Sequence, residues 1–380
     1  MFNRKNTILS IFSLSLLIFC FAFLMSSDFG KYKPDYFEAH LLGMRHLHGP
    51  ENIFDLIRSI PNSASGVLPL YIYGFFDSQL THKFLSLLSL FTIFFLIWIN
   101  DLSRSKNYAL VFISSMLISP SVISSAVWCL PEIFSLMIFF LACNFFYSRY
   151  YLSLLFSFAL PFCRQTFIIL TAYKAFLFIK ETSLLRKIFF ELFFSSCALL
   201  ILYLIWGGLV PPSKAAVHQT PSYKSFYISI LIFSSYFLFD NIQRLNTLKL
   251  ISYQKLIFYS FFCLLLTHFN FIQKPLLGGG FVFSRIEDMK WAFIFDFIFL
   301  LFFLLQSSGL VKSFVFLASL TFSTTNYLFM KYTDFFIFGF LFLYYVRPVY
   351  SNERFYDYVK SIFVFEVFYL SLSYIYYYLI

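Results

Sequence analysis

Asp35 and Glu38 stand three residues apart in the segment Lys33-Pro34-Asp35-Tyr36-Phe37-Glu38-Ala39-His40. On a helix that spacing puts both carboxylates on one face. A carboxylate placed so takes a proton from a hydroxyl as a general base. The same pair could offer oxygen ligands to a divalent cation, or cap the start of a solvated helix. Residue types alone leave these readings open. His40 closes the segment, and Arg45, His46 and His48 follow it. A His-x-His pair without a cysteine or a third histidine is better read as interfacial surface than as a metal centre, so no metal or cofactor is expected.

Cations with a possible anionic partner come next. Arg164-Gln165-Thr166 interrupts the apolar run 151–179. A charge at such depth usually lines a cavity or meets a ligand. The planar guanidinium suits a phosphate, to which it makes two parallel charge-assisted bonds. A structural salt bridge or a snorkelled anchor is the alternative. Glu132, after Trp128-Cys129-Leu130-Pro131, either complements a helix dipole or adds a second carboxylate to the same cavity. Gly207 to Pro212 and then His218-Gln219-Thr220-Pro221 form a loop whose turns are set by glycine and proline. Lys274 and Arg285 flank Gly278-Gly279-Gly280, which lacks the Gly-Lys-Ser/Thr of a phosphate-cradling loop. Together these residues supply acids to activate a hydroxyl and cations to hold a phosphate.

The elements that must position them are membrane helices. The chain is 60% hydrophobic and only 12% charged over 380 residues, far from the balance of a soluble domain. The formal charge of +10 does not point to nucleic acid. Its basic residues fall one or two per loop beside apolar segments, as positive-inside bias dictates. The six cysteines are dispersed, with no metal-binding spacing, and Cys129 and Cys163 are both placed to reach the far side. Sixty Phe and 27 Tyr suit lipid-facing and interfacial positions.

With a basic start at Arg4 and Lys5, the uncleaved first span 8–25 carries the segment 26–66 to the far side. Residues 38–47 and 51–60 read as short interfacial helices, and 67–77 as a re-entrant or interfacial piece. Spans follow at 82–99, 108–119, 133–147, two short ones within 151–179 broken at 160–165, and 188–206. Further spans lie at 225–239, 254–271, 291–306, 314–330, 335–346 and 361–379. The fold class is all-α, a single multi-pass bundle over residues 1–380 with about thirteen spans and no internal repeat. In this ladder the candidate acids, histidines and arginines all emerge on one face.

The order of motifs resembles the membrane glycosyltransferases of the GT-C fold, which draw sugars from polyprenyl-phosphate donors. More narrowly it is similar to the dolichyl-phosphate-glucose α-1,2-glucosyltransferase family. That family carries Asp-Glu-x-Phe-His in its first loop, where Asp35 to His40 reads Asp-Tyr-Phe-Glu-Ala-His. Its Pro-Pro-Gly-Leu-Tyr element is echoed by Gly66 to Tyr71, and its Arg-Gln-Thr-Asn by Arg164-Gln165-Thr166, with Phe167 at the last place. A glycine-rich loop ending in His-Gln corresponds to Gly207 to Gln219. The second acid is displaced to position 38, and the family's late Asp-Asn-Arg-His-Tyr segment is absent.

The resemblance implies an inverting hexosyltransferase. Asp35 would be its base, supported by Glu38, with His40, Glu132, Gln165 and Gln219 in the substrate site. Arg164, assisted by His218, Lys274 or Arg285, would hold the donor phosphate. The implied partners are a polyprenyl- or dolichyl-phosphate sugar donor, a glycolipid or glycan acceptor and membrane lipids, without nucleic acid. The implied location is a bacterial inner membrane or the endoplasmic reticulum membrane, with the active site on the non-cytoplasmic side. An O-antigen-type polymerase or ligase shares the lipid-phosphate chemistry but relies on a long late loop, and no loop after residue 290 is long enough. A lipid-linked sugar flippase or transporter would require charges at mid-span depth and internal repeats.

Overall fold

Proline and serine mark several of the helix breaks in this chain. The computed structural model describes residues 4–24, 40–61, 66–100, 106–127, 129, 131–179, 182–215, 223–243, 252–271, 292–322, 330–346 and 352–378. Among them every regular element is helical and there is no strand. The first half contains α1 (Arg4–Leu24), α2 (Leu41–His46), α3 (Ile53–Arg58), α4 (Val67–Gly74), α5 (Gln79–Asn100), α6 (Lys106–Ile118), α7 (Pro120–Val127), α8 (Pro131–Ser148) and α9 (Tyr150–Cys163). The second half contains α10 (Ile168–Phe178), α11 (Leu185–Trp206), α12 (Tyr223–Ser235), α13 (Leu238–Gln243), α14 (Tyr253–Phe271), α15 (Ala292–Gln306), α16 (Gly309–Phe322), α17 (Met330–Val346) and α18 (Asn352–Tyr378).

Several of these helices are inside-out. On α5, Leu80, Phe84, Leu88, Phe91 and Phe95 are exposed, while His82, Ser86 and Ser89 are buried. On α11, Phe189, Phe193, Leu200 and Leu204 face outward and Glu191 and Ser195 inward. In water that arrangement would expose apolar surface and enclose polar groups, a double cost. In lipid it is the favourable one, because polar groups must be satisfied within the bundle. Among the described residues α5 and α11 are each long and apolar enough to cross a membrane. A third crossing results if the pair α6–α7, bent by 68°, is one span. The remaining apolar helices of 10–17 residues are short for a bilayer core about 30 Å thick.

Breaks fall where the backbone loses a donor. Pro120 has no amide hydrogen and stands at the first position of α7, where none is needed. Ser119 before it caps α7, its hydroxyl 3.4 Å from the Val122 amide. Pro161 lies inside α9 and cannot donate to the Ser157 carbonyl one turn earlier. Ser195 of α11 answers that carbonyl with a hydroxyl bond of 2.7 Å. The helix ends at Cys163, Arg164 is extended, and a 3-10 turn over Gln165–Phe167 restarts it as α10. The break expected within 151–179 is therefore present, at Arg164.

Helices α8 and α9 form a hairpin through Arg149, and α11 packs along α9. Where α8 ends and α9 begins, Asn100 bonds Asn144 at 3.0 Å, and the Tyr150 hydroxyl donates to the Lys187 carbonyl at 2.8 Å. Midway, Lys174 of α10 and Glu191 of α11 pair at 2.7 Å, both buried. The contact is ionic, since the ammonium does not meet the carboxylate along a hydrogen-bonding direction. Ser153 of α9 donates to the same carboxylate, and the ammonium lies 4.0 Å from the Phe146 ring of α8. One polar node thus ties four helices. A single apolar cluster runs from Ile8 to Phe365.

Three late helices start five or more residues ahead of the apolar pattern: α16 at Gly309 rather than 314, α17 at Met330 rather than 335, and α18 at Asn352 rather than 361. In the α18 extension Glu353, Arg354 and Lys360 are good helix formers that leave the apolar pattern without breaking the helix.

Replacing Ser195 by alanine strands the Ser157 carbonyl, and detergent unfolding should show a loss of about 1–3 kcal/mol. In a Pro161→Ala background the new amide serves that carbonyl, and Ser195→Ala should cost clearly less. Equal costs in the two backgrounds would remove Ser195 as the answer to the proline.

Candidate functional site

Helix ends converge where α9 breaks. Glu132 sits in the first turn of α8, behind Pro131, and Arg164 at the end of α9. The hairpin brings them together: Arg164 Nη1 donates to Glu132 Oε1 at 2.8 Å, with side-chain exposures of 9% and 2%. Of the partners the sequence left open for Arg164, the structure supplies the carboxylate. Glu132 Oε2 and the Gln165 side-chain nitrogen are both buried and have no hydrogen-bond partner among the described residues. Each such group costs about 1–3 kcal/mol unless something meets it. An acceptor and a donor therefore stand unmatched on the residues that flank the ion pair.

Helix α4 is wedged beside this pair. A Cβ on Gly66 would overlap the backbone of Phe162 and Cys163, so only glycine lets the start of α4 touch the end of α9. Tyr73 of α4 lies near Cys129 and Glu132, and its hydroxyl is 3.2 Å from Ser86 Oγ on α5. Burial pushes that phenol well above its usual range, so it stays neutral. His82 Nε2 donates to the carbonyls of Tyr73 at 2.8 Å and Phe76 at 2.6 Å, closing the end of α4. Cys129 holds a left-handed backbone, with φ at 57°. For a residue other than glycine this is a strained conformation, retained just before the turn that presents Glu132. Burial pushes its thiol up to about 12, which favours the neutral thiol. Cys129 and Cys163 are both free.

The preceding and following loops meet the same end of the bundle. Asn52 caps α3 by accepting from the Phe54 amide at 2.9 Å. Trp206 Nε1 donates to the Ile57 carbonyl at 2.8 Å, and Ser213 Oγ to that of Ile60 at 3.0 Å. Gly207, left-handed at φ 70°, ends α11 and turns the chain toward α3. His46 Nε2 donates to the Leu56 carbonyl at 3.0 Å and His48 Nε2 to that of Tyr71 at 2.8 Å. The two histidines are thus committed to different backbone segments. No group of three or more His, Cys, Asp or Glu able to hold a metal occurs among the described residues. His40 is buried at the start of α2.

Of the sequence candidates, then, Glu132, Arg164 and Gln165 come together, and α4 with its His40-bearing neighbour α2 packs nearby. Asp35, Glu38, His218, Gln219, Lys274 and Arg285 lie outside the described residues. Sequence reasoning missed Tyr73, His82 and the Lys174–Glu191 pair. Lys174 gave a signal, a lone charge inside an apolar run. Tyr73 gave none, since tyrosine is common throughout this chain. Compared with protein-family models, with curated proteins and with solved structures, the chain matches none of them.

Arg164→Gln leaves Glu132 buried without its counter-charge and should destabilise the protein by about 3–5 kcal/mol. Adding Glu132→Gln should restore most of the loss, as read by melting in detergent. A double variant no better than the single one would show that the pair does not stand alone energetically. Gly66→Ala should cost about 1–3 kcal/mol through overpacking. Gly309→Ala, whose added Cβ meets nothing within 4 Å, is the control.

Proposed function

We propose that this protein is a membrane glycosyltransferase. It moves a hexose from a polyprenyl- or dolichyl-phosphate donor to a hydroxyl of a glycolipid or glycan at the non-cytoplasmic face. The observation that carries the reading is a buried guanidinium at a helix break, with an unmatched carboxylate oxygen and amide nitrogen on the residues beside it. A phosphate competes with Glu132 for the guanidinium fork, and hydroxyls satisfy the two unmatched groups. The resemblance of the motifs around Asp35, Gly66, Arg164 and Gly207 supports the same reading.

On this reading Asp35, supported by Glu38, takes the proton of the acceptor hydroxyl as its oxygen attacks the anomeric carbon. The bond from that carbon to the phosphate oxygen breaks, and the phosphate leaves with its electron pair. Arg164, helped by His218, Lys274 or Arg285, stabilises the departing charge. The lipid tail lies between apolar helices, within a bundle of about thirteen spans. Membrane insertion puts the site on the outer face of a bacterial inner membrane or on the lumenal face of the endoplasmic reticulum.

A second reading, a lipid-linked sugar flippase or transporter, gains from one observation. Glu366 is a fully buried carboxyl in the middle of α18, the mid-helix charge that transport would use.

A labelled polyprenyl-phosphate hexose supplied to the purified protein with a glycolipid acceptor separates the two. A transferase releases free polyprenyl phosphate, and Asp35→Asn should slow the release by roughly 10²–10⁴-fold with donor binding nearly unchanged. Movement of intact donor across a vesicle without release would establish the transporter instead.

A further inference from the structure

Buried groups with no role in the proposed transfer gather at the α6–α7 bend. Ser119 Oγ donates to Asp334 Oδ2 of α17 at 2.8 Å. The Tyr236 hydroxyl, at the end of α12, donates to Asp334 Oδ1 and lies 3.4 Å from Thr333 Oγ1. Asp334 thus accepts a hydroxyl bond at each of its two oxygens. Glu366 of α18 interacts electrostatically with Asp334. It is 0% exposed, and neither of its oxygens has a hydrogen-bond partner among the described residues. Ser119 is also within reach of Glu366, but its single proton goes to Asp334. Glu366 is held in this place by its neighbours. Ser361 donates to the Tyr236 carbonyl at 2.8 Å, and the Phe365 ring lies 4.2 Å from that of Tyr236.

Two carboxyls buried close together, one with two donors and the other with none, are relieved by taking up a proton or a cation. Among the described residues neither has a lysine or arginine partner. Tyr108 of α6 and Tyr344 and Tyr345 of α17 meet Phe355 near the start of α18. The backbone amide of Asp240 on α13 meets Ser361, and α7 has no titratable residue.

We propose that Asp334 and Glu366, with the hydroxyls of Ser119, Tyr236 and Thr333, bind a small monovalent cation, a sodium ion or a proton, inside the helix bundle. The ligand set is all oxygen, which suits a hard cation and excludes a soft one. Glu366 supplies the unused oxygens, Asp334 the second charge, and the hydroxyls complete the shell by turning their lone pairs inward. The site lies apart from Arg164 and holds for a transferase and a transporter alike. In a transporter it would couple ion entry to substrate movement. In a transferase it would set the stability and closure of the helices α7, α12, α17 and α18 that surround it.

The test is the melting temperature of the full chain in detergent, in sodium chloride against choline chloride at equal ionic strength, from mildly acid to mildly alkaline pH. Sodium should raise the wild-type melting temperature by on the order of 5 °C at saturation. The effect should be larger at alkaline pH, where protons compete less. Glu366→Gln keeps the shape, removes the charge and should abolish the sodium response. If the occupant is a proton, sodium and choline give the same curve, and the pH profile of Glu366→Gln departs from that of the wild type. Superimposable sodium and pH responses in the two proteins overturn the site. Should Glu366→Gln fail to fold, Tyr236→Phe, which takes one donor from Asp334, should move the half-effective sodium concentration or the pH midpoint. An unmoved midpoint likewise overturns the proposal.

Discussion

A charge enclosed by apolar helices is costly without a counter-charge, and much of this architecture follows from two pairs that meet within the chain. Arg164 meets Glu132 and Lys174 meets Glu191, both pairs buried. Removing one member of such a pair is far more costly than never having had it. These contacts therefore fix which helix faces turn inward more firmly than apolar packing does, since leucine or phenylalanine packs nearly as well against lipid. The outward faces of α5 and α11 are apolar for the same reason. They contribute little to the choice of neighbour.

The candidate site is a by-product of that arrangement. The short hairpin of α8 and α9 sets one helix start beside one helix end, and a proline-induced break keeps Arg164 out of regular structure. An extended residue between two helical segments leaves backbone groups and a long side chain at a place where helix packing would otherwise exclude them. Tyr73, His82 and Gly66 then close the α4 side with neutral hydrogen bonds and a backbone contact. The left-handed backbone of Cys129 falls just ahead of Glu132, which places a strained residue next to a buried charge.

Much of the helical framework was legible in the sequence because apolar runs and their breakers are local signals. The break near Arg164, the short pieces α2, α3 and α4, and the isolation of Arg164 itself could all be read from single segments. Partnership was not legible. Nothing in the sequence around Glu132 or Arg164 distinguishes a mutual pair from two separate ligand contacts, because the hairpin that unites them is a three-dimensional fact. Glu366 was passed over because its flanks, Val364-Phe365 and Val367-Phe368, read as an ordinary span. Asp334 lies just ahead of an apolar stretch, where an acid gives no signal of burial. Only packing brings Asp334 to Ser119 and Tyr236 and sets Glu366 near Asp334.

The answered carbonyl at Ser157 has a consequence for how the chain is made. Ribosomes deliver residues in order, and Ser195 emerges 38 residues after the carbonyl it serves. Until then the bend at Pro161 has an open acceptor and no fixed angle, so α9 leaves the translocation channel unfinished. Arg164 is in the opposite position, since Glu132 precedes it by 32 residues and is already made. The charge therefore enters with its partner in place while the kink enters without one. The docking of α11, which brings Ser195 to that carbonyl, is the event that sets the final shape of α9.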